Sequence, residues 1–516
     1  MKNAIIAFVI IFFSHIVSAQ QPKLVVEIVV DGLQQQYIEH LWDNLSPNGF
    51  KHFVGQGAVV NNLCYNTIPA GKIVDIANAM TGSVPYYHGI TGKDYYNRLD
   101  DQTVSILYDP EQIGIGVHEG LSAYHLLSTT LSDELMLQYP NKSKTYVVSI
   151  DADAAIMLGG HTANGVAWLE DTFNRWNTTA YYNEGLSRWA DQMNIDDEIT
   201  RAVNRIWRPL LSYDNYTEYQ AGNTSSFRYV ADKNRSLLKI SPAANSLVTK
   251  LALATFNGEN LGADNFPDLL LLQYSVKTLR ETTFAAETED MYFCLDRDLQ
   301  TLIQTINDKI GEENVLYCLF SAPKPLHSPQ YLEKNNIASG VFSTSRSMAL
   351  LNVYLMAIYG QERWVTGYNE KNIFLNREKA DERRVNIVDM QQRVATFMLE
   401  FAGVQSAFTA EQLLRTNYGG DGVLARLQNS INHRTAGDVI ITLQPGWVEV
   451  VDEDLNYIQP SNIATFAPAY FCGWNVKQQT INKQYNITDI APTICNILKI
   501  NYPNACIGKA IEEIVK

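Results

Sequence analysis

Short apolar runs recur along the chain, separated by stretches in which apolar residues follow a helical spacing. Six of the runs are apolar at consecutive positions, which is typical of parallel strands buried on both faces. These runs are Leu24–Val30, Thr145–Ile150, Leu269–Tyr274, Val315–Phe320, Val439–Leu443 and Ala467–Phe471. They predict strands of a buried sheet.

Between the runs, apolar residues return every three or four positions, as they do on one face of a helix. The pattern is present in Ile73–Met80, Leu299–Ile310 and Asp489–Leu498. Strands that alternate with helices predict an α/β fold with a mostly parallel central sheet flanked by helices. The functional crevice of such a sheet lies outside the carboxyl ends of its strands.

Two stretches fit this alternation poorly. Residues 160–260 are rich in Trp, Tyr, Asn and Arg, and residues 330–435 contain an amphipathic helix over Ser345–Tyr359 followed by the charged section Glu370–Arg384. We interpret both as insertions that cap the sheet of a single domain spanning residues 20–516. The aromatic part of the first insertion, Trp168–Trp207, is a candidate partner surface, although any single Trp there is expected in the core.

The N-terminus has the features of a secretory signal peptide. Lys2 precedes the apolar run Ala4–Phe13, and the small residues Val17 and Ala19 precede a cleavage site after Ala19. The apolar run is shorter than the roughly 20 residues that cross a bilayer. We therefore expect residues 1–19 to be removed, no transmembrane segment, and a protein that is exported to the periplasm or secreted.

Charge and cysteine content narrow the choice of partners. The 516 residues include 40 Lys and Arg against 55 Asp and Glu, a net charge of −15. Nucleic acids and anionic membranes attract basic surfaces, so neither is expected as a partner. The six cysteines lack CxxC spacing, and Cys318 and Cys472 lie in apolar runs. We expect buried free thiols, although the sequence also allows one disulfide.

Three segments carry a resemblance to a known family: the VVDG of Val29–Gly32, the stretch Tyr65–Ile90, and Asn486–Lys509. Thr129–Leu135 and Gly159–His161 fit the same pattern. Together they resemble the alkaline phosphatase superfamily, in its type I phosphodiesterase/nucleotide pyrophosphatase-like branch, and are similar to secreted alkaline phosphatases of Bacteroidetes. The resemblance spans nearly the whole mature chain in the same order.

The resemblance implies two zinc ions, held by Asp and His side chains, that activate a Thr or Ser nucleophile. Asp31 matches the first carboxylate ligand, but Lys72 stands at the nucleophile position. The other five ligand positions hold residues unsuited to zinc: Thr278, Thr282, Pro323, Lys324 and Phe466. His327 lies near Lys324, but no Asp accompanies it. The resemblance therefore predicts that one of six ligands remains.

The positions that would hold the substrate phosphate also differ. Lys93 stands where the family has Asn, and Asp151 and Asp153 stand where it has Lys and Arg. Two carboxylates would repel a phosphate dianion, which needs cationic donors. A site built of carboxylates without its dications needs other positive charges. We expect three lysines and three aspartates at the expected metal site to form an ion-pair cluster: Lys72, Lys93, Lys324, Asp31, Asp151 and Asp153.

Two roles remain open for that cluster: a structural replacement for the metals, or a site in which lysines hold an anionic ligand. The leading hypothesis is an exported pseudoenzyme without cofactor that binds or scaffolds an unknown protein or an anionic small molecule. The alternative is a divergent hydrolase of phosphate, phosphodiester or sulfate esters with two zinc ions. Metal-free catalysis by Lys72 is a third hypothesis and would require a lowered lysine pKa.

Overall fold

The computed structural model describes residues 21–68, 71–116, 119–170, 175–222, 226–231, 236–277, 279–280, 282–322, 328–420, 422–450 and 465–515. The expected signal peptide and cleavage site, and the site positions Thr278, Pro323 and Lys324, lie outside these residues. Within them, no helix has the length and apolar character needed to cross a membrane.

Strands form where apolar and β-branched residues are concentrated. They are β1 (Leu24–Asp31), β2 (Ala58–Tyr65), β3 (Asp94–Asn97), β4 (Gln102–Ser105), β5 (Gly114–Ile115), β6 (Thr145–Ser149), β7 (Gly165–Glu170), β8 (Arg175–Thr179), β9 (Asp268–Ser275), β10 (Val315–Ala322), β11 (Gly340–Ser343), β12 (Val365–Asn369), β13 (Asn372–Leu375), β14 (Val404–Thr409), β15 (Val439–Leu443), β16 (Trp447–Val450), β17 (Thr465–Gly473), β18 (Gln479–Ile481) and β19 (Tyr485–Asn486).

Helices fill most of the connections between strands. They are α1 (Gln35–His40), α2 (Phe50–Gln56), α3 (Lys72–Thr81), α4 (Pro85–His88), α5 (Leu131–Gln138), α6 (Ala152–Gly159), α7 (Arg188–Ile195), α8 (Glu198–Val203), α9 (Thr217–Gln220), α10 (Ser236–Lys239), α11 (Pro242–Gly258), α12 (Ala286–Ile310), α13 (Pro329–Lys334), α14 (Thr344–Tyr359), α15 (Arg377–Glu382), α16 (Ile387–Met398), α17 (Ala410–Arg415), α18 (Val423–Asn429) and α19 (Ile490–Leu498).

The central sheet has the strand order β18-β2-β17-β10-β1-β9-β6-β7-β8-β5, with β19 also paired to β2. Its middle strands β10, β1, β9, β6 and β7 run parallel. Side chains of β1 alternate between two cores: Val26 and Ile28 face one, and Val25 and Val29 face the other. Helices α11 and α12 cover the first face, and α3, α6 and α19 cover the second. The predicted α/β class is confirmed.

All six apolar runs form strands, but the prediction that they are all parallel is wrong for two of them. The run at 467–471 belongs to β17, which pairs antiparallel with β10 and β2. The run at 439–443 is β15, which belongs to a separate antiparallel sheet ordered β12-β13-β15-β14. A strand buried on both faces has the same apolar pattern in either direction, so the sequence does not distinguish them.

The structure divides the two predicted insertions differently. Strands β7 and β8, inside residues 160–260, extend the central sheet, and Trp168 and Trp176 are buried in its cores. Their polar, aromatic composition reflects their position toward the edge of the sheet. The second insertion has its own core, built from α14, α16 and the β12–β15 sheet, and it extends past residue 435 to include β15. The six cysteines form no disulfide, and Cys318 and Cys472 are fully buried.

Glu27 is an unusual core residue, because it lies in the middle of β1 with no exposed surface. Neither of its carboxylate oxygens has a hydrogen-bond partner among the described residues. Burial raises the pKa of Glu27 to about 8. The folded protein therefore holds a proton on Glu27 at pH values at which the unfolded chain releases it.

We expect Glu27→Gln to flatten the pH dependence of stability. Because the folded pKa is raised, the Glu27 contribution is complete below its ordinary value of 4.5 and is lost as the pH rises toward about 8. One pKa unit corresponds to about 1.4 kcal/mol, so wild-type stability relative to the variant should fall by up to about 4 kcal/mol over this range. Urea unfolding of both proteins at pH 5 and pH 8 measures the difference.

The matched control is Glu400→Gln, which changes an exposed carboxylate at the end of α16. This control should follow the wild type at both pH values. Identical pH profiles for wild type and Glu27→Gln would show that Glu27 is not buried as a protonated acid.

Candidate functional site

The carboxyl ends of β10, β1, β9 and β6 lie side by side at one edge of the central sheet. Asp31 is the last residue of β1 and lies opposite Ala322 of β10 and Ser275 of β9. Gly32 follows with a φ of 82°, a left-handed conformation that turns the chain away from the strand. Asp151 lies two residues beyond the end of β6. The fold therefore brings Asp31 and Asp151 to one crevice, although they are 120 positions apart in the sequence.

Two helices begin at this edge. Lys72 is the first residue of α3, which follows β2, and Asp151 is the N-cap residue of α6 with Asp153 in its first turn. Carboxylates are favourable at a helix N-terminus, where the helix dipole is positive, and an ammonium group is unfavourable there. Lys72 therefore needs neighbouring negative charge.

Lys72 has that charge from α6. Its Nζ lies 2.5 Å from Asp151 Oδ2 and 3.0 Å from Asp153 Oδ1. The side chain of Lys72 is only 15% exposed. Burial lowers the pKa of Lys72, but the carboxylates of Asp151, Asp153 and Asp31 raise it by more, so the net pKa is above that of free lysine. Lys72 is thus a permanently protonated cation.

Two further lysines complete the group. Lys277 Nζ lies 2.8 Å from Asp31 Oδ2, and Lys239 Nζ lies 3.5 Å from Asp151 Oδ1. Burial raises the pKa of Asp151, and the three lysines lower it by more. We call these six residues the lysine–aspartate cluster: Asp31, Lys72, Asp151, Asp153, Lys239 and Lys277. Its described members carry three positive and three negative charges.

A buried acid lies directly behind the cluster. Asp75, in the first turn of α3, is 1% exposed, and neither of its carboxylate oxygens has a hydrogen-bond partner among the described residues. Burial, followed by the nearby Asp31 charge, raises the pKa of Asp75 well above its ordinary value. Burial and the nearby Asp31 carboxylate thus both favour the protonated form of Asp75.

Three other predicted site residues that the structure describes lie apart from the cluster. Lys93 is exposed at the start of β3 and forms no ion pair with the three aspartates. Thr282 is exposed in the loop before α12. Phe466 is at the same sheet edge, near the start of β17, with 52% of its surface exposed. Of the seven predicted positions that the structure describes, the cluster therefore contains four: Asp31, Lys72, Asp151 and Asp153.

Sequence reasoning missed Lys239, Lys277 and Asp75. Lys277 directly precedes Thr278, a position at which the resemblance implied a zinc ligand, so the segment was identified but its charged residue was overlooked. Lys239 is on the four-residue helix α10, whose sequence carries no signal for this position. Asp75 does carry a signal in the sequence, because it is a charged residue that interrupts the apolar run Ile73–Ala77 of α3.

The donor set offered by the described residues at this edge does not fit two zinc ions. Each of the three carboxylates at the edge already pairs with an ammonium group, and no imidazole accompanies them in the described part of the chain. Across the same residues, no group of three or more His, Cys, Asp or Glu side chains is arranged to hold a metal. His88 and His161 form hydrogen bonds with other side chains: His88 Nε2 is 2.8 Å from Asn78, and His161 Nδ1 is 3.1 Å from the Tyr181 hydroxyl.

We expect Lys72→Met to destabilise the protein by about 2 kcal/mol at neutral pH. The change leaves Asp151 and Asp153 without their main counter-charge; removing one partner of a fully buried pair costs more, and this pair is partly exposed. The additional change Asp151→Asn should recover part of the loss. Urea unfolding measures both variants, with Lys93→Met as an exposed control expected within about 0.5 kcal/mol of wild type.

The loss of stability caused by Lys72→Met should be constant from about pH 5 to pH 9. The lowered Asp151 pKa contributes stability that is present above its ordinary value of 3.8 and is lost below it. The raised Lys72 pKa contributes stability that is present below its ordinary value of 10.5 and is lost above it. Equal stabilities of Lys72→Met and Lys93→Met would contradict the described pairing.

Comparisons with known proteins cover nearly the whole chain. Residues 25–458 match the family described as type I phosphodiesterase / nucleotide pyrophosphatase. Alkaline phosphatase PafA of Elizabethkingia meningoseptica is 26% identical over 96% of this chain and 95% of its own. Alkaline phosphatase PhoV of Synechococcus elongatus is 28% identical over 96% of this chain and 93% of its own.

Solved structures agree with these matches. The crystal structure of wild-type PafA superposes with a TM-score of 0.86 and 26% identity, covering 96% of this chain and 99% of that chain. Murine ectonucleotide pyrophosphatase / phosphodiesterase 5 shares the fold, with a TM-score of 0.52 and 10% identity over 96% of this chain.

Proposed function

This chain belongs to the type I phosphodiesterase / nucleotide pyrophosphatase family, and we propose that it is an exported member that binds or scaffolds a partner and has lost metal-dependent phosphoryl transfer. The resemblance to the alkaline phosphatase superfamily is confirmed, so the chain has an alkaline-phosphatase-like hydrolase fold. The loss of activity is our inference from the lysine–aspartate cluster.

The observation that carries the proposal is the pairing of Lys72 with Asp151 and Asp153. Phosphoryl transfer in a two-metal site needs a nucleophilic oxygen and positive charge on the phosphate oxygens. An ammonium group with a raised pKa has no free electron pair with which to attack. The aspartates at the positions of the cationic clamps would repel a phosphate dianion.

The raised pKa also argues against metal-free catalysis by Lys72. A nucleophilic lysine needs a pKa lowered toward neutrality by burial or by other cations. Here burial lowers the pKa, but three carboxylates outweigh it. Similarly, the charge balance of the cluster disfavours capture of an anion at this edge, because its described residues offer no excess of positive charge.

The alternative is a divergent metal-dependent hydrolase of phosphate, phosphodiester or sulfate esters. Its support is the pair of relatives named as alkaline phosphatases, which match 96% of this chain. Such an enzyme would need zinc ligands other than those that the resemblance implies.

Metal analysis and activity assays distinguish the two functions. We expect the purified mature protein, supplied with zinc, to bind less than one metal per chain. It should hydrolyse neither p-nitrophenyl phosphate nor bis-p-nitrophenyl phosphate above a heat-killed control. The variant Lys72→Thr should remain inactive, because a restored hydroxyl still lacks the ligands that activate it. Two bound zinc ions, or turnover that a chelator abolishes, would establish the alternative.

A further inference from the structure

A cleft of about 1230 Å³ opens between helices α8, α11 and α12 on the sheet face opposite α3 and α6. Its walls are completed by residues 204–210 and 226–231. Clefts that bind small molecules usually have volumes of roughly 300–1,000 Å³, so this cleft has room for an extended ligand. Neither the proposed function nor the lysine–aspartate cluster uses it.

Four arginines on the walls of the cleft have no counter-charge among the residues that the structure describes. Each is exposed, and none forms an ion pair with a described residue. They are Arg205, Arg208, Arg228 and Arg297. In a protein with a net charge of −15, this concentration of unpaired positive charge is opposite in sign to the average surface.

The acidic residues of the cleft are already engaged. Glu198 pairs with Lys250 at 2.8 Å and with Arg201 at 3.6 Å. Asp290 accepts hydrogen bonds from Trp207 Nε1 at 2.7 Å and from the Tyr216 hydroxyl at 2.6 Å. Both carboxylates are therefore fixed by the protein itself and leave the four arginines available to a ligand.

Asp298 is the third acid on the walls, and it accepts a hydrogen bond from Ser246 Oγ at 3.0 Å. Burial raises the pKa of Asp298 to about 7, so its negative charge is reduced at neutral pH. The first turn of α11 also lines the cleft and adds the positive end of a helix dipole.

Aromatic side chains form the apolar part of the cleft. Trp207 and Tyr229 exchange two backbone hydrogen bonds, of 2.8 and 2.9 Å, which hold the two segments together. The Trp207 ring lies 5.3 Å from Phe227 and 5.6 Å from Tyr229, measured between ring centroids. Trp207 and Tyr229 are half-buried, so part of each ring faces the cleft.

We propose that this cleft binds a small organic polyanion that carries two or more phosphate groups and an aromatic ring. One guanidinium group can bind two phosphate oxygens at once. Arginine and aromatic side chains also stack on planar rings. The cleft is distinct from the lysine–aspartate cluster, because none of the six cluster residues lines it. Helix α10 lies between the two sites: Leu237 lines the cleft, and Lys239 contacts Asp151.

Isothermal titration calorimetry with ATP as the probe, in the presence of EDTA, tests this site. We expect binding that weakens as salt increases, since exposed charges carry it. Inorganic triphosphate should bind several-fold more weakly than ATP, because it lacks the ring, and adenosine should bind weakly or not at all. Arg228→Ala and Arg297→Ala should each weaken ATP binding about tenfold.

Two control variants separate the cleft from general electrostatics and from the sheet edge. Arg201→Ala removes an arginine that already pairs with Glu198, and we expect less than a twofold effect. Lys72→Met should bind ATP as the wild type does, whether or not the proposed loss of phosphoryl transfer is correct. Absence of ATP binding at low salt, equal affinity for triphosphate and ATP, or equal weakening by all three arginine variants would overturn the proposal.

Discussion

Carboxylates at the carboxyl edge of a parallel sheet need positive charge close by, and this requirement governs the structure of the crevice. Asp31 ends β1, and Asp151 and Asp153 begin α6, so the fold fixes all three at one edge. A dication can satisfy such a group and still be exchanged. Here the ammonium groups of Lys72, Lys239 and Lys277 supply positive charge as covalent parts of the chain.

The consequence is electrostatic as well as chemical. Zinc ions leave open coordination positions for a substrate, whereas a lysine that pairs with two carboxylates has its charge used within the protein. The cluster stabilises the ends of β1, β6 and α3 without presenting an excess of positive charge. Arginines without an ion-pair partner among the described residues lie instead around the cleft between α8, α11 and α12. In our proposal, an anion is recognised at that cleft and not at the sheet edge.

The sequence predicted which segments form strands and helices better than it predicted whether the strands run parallel or antiparallel. Consecutive apolar residues predicted β1, β9 and β10, because these strands are buried on both faces. Apolar residues at helical spacing predicted α3. Strand direction does not affect the apolar pattern, so β15 and β17 were assigned as parallel. Strands β7 and β8 were assigned to a cap because edge strands carry more polar residues than central ones.

Which residues belong to the lysine–aspartate cluster depends on where each side chain extends in the folded protein. Lys72, Asp151 and Asp153 follow directly from strand ends and helix starts, so motif positions placed them together. Lys93 follows a turn, and its side chain faces solvent instead. Lys239 and Lys277 reach the aspartates with long side chains from segments that have no motif of their own. Such contacts depend on tertiary packing, which local sequence patterns do not contain.

The central claim is that lysine ammonium groups occupy the place of the metal ions. A crystal structure of the mature protein soaked in zinc, with diffraction data collected at the zinc absorption edge, tests it most directly. We expect Lys72 Nζ within hydrogen-bonding distance of Asp151 and Asp153, and no anomalous density beside Asp31. Anomalous density bound by Asp31, with the Lys72 side chain displaced from the aspartates, would contradict it.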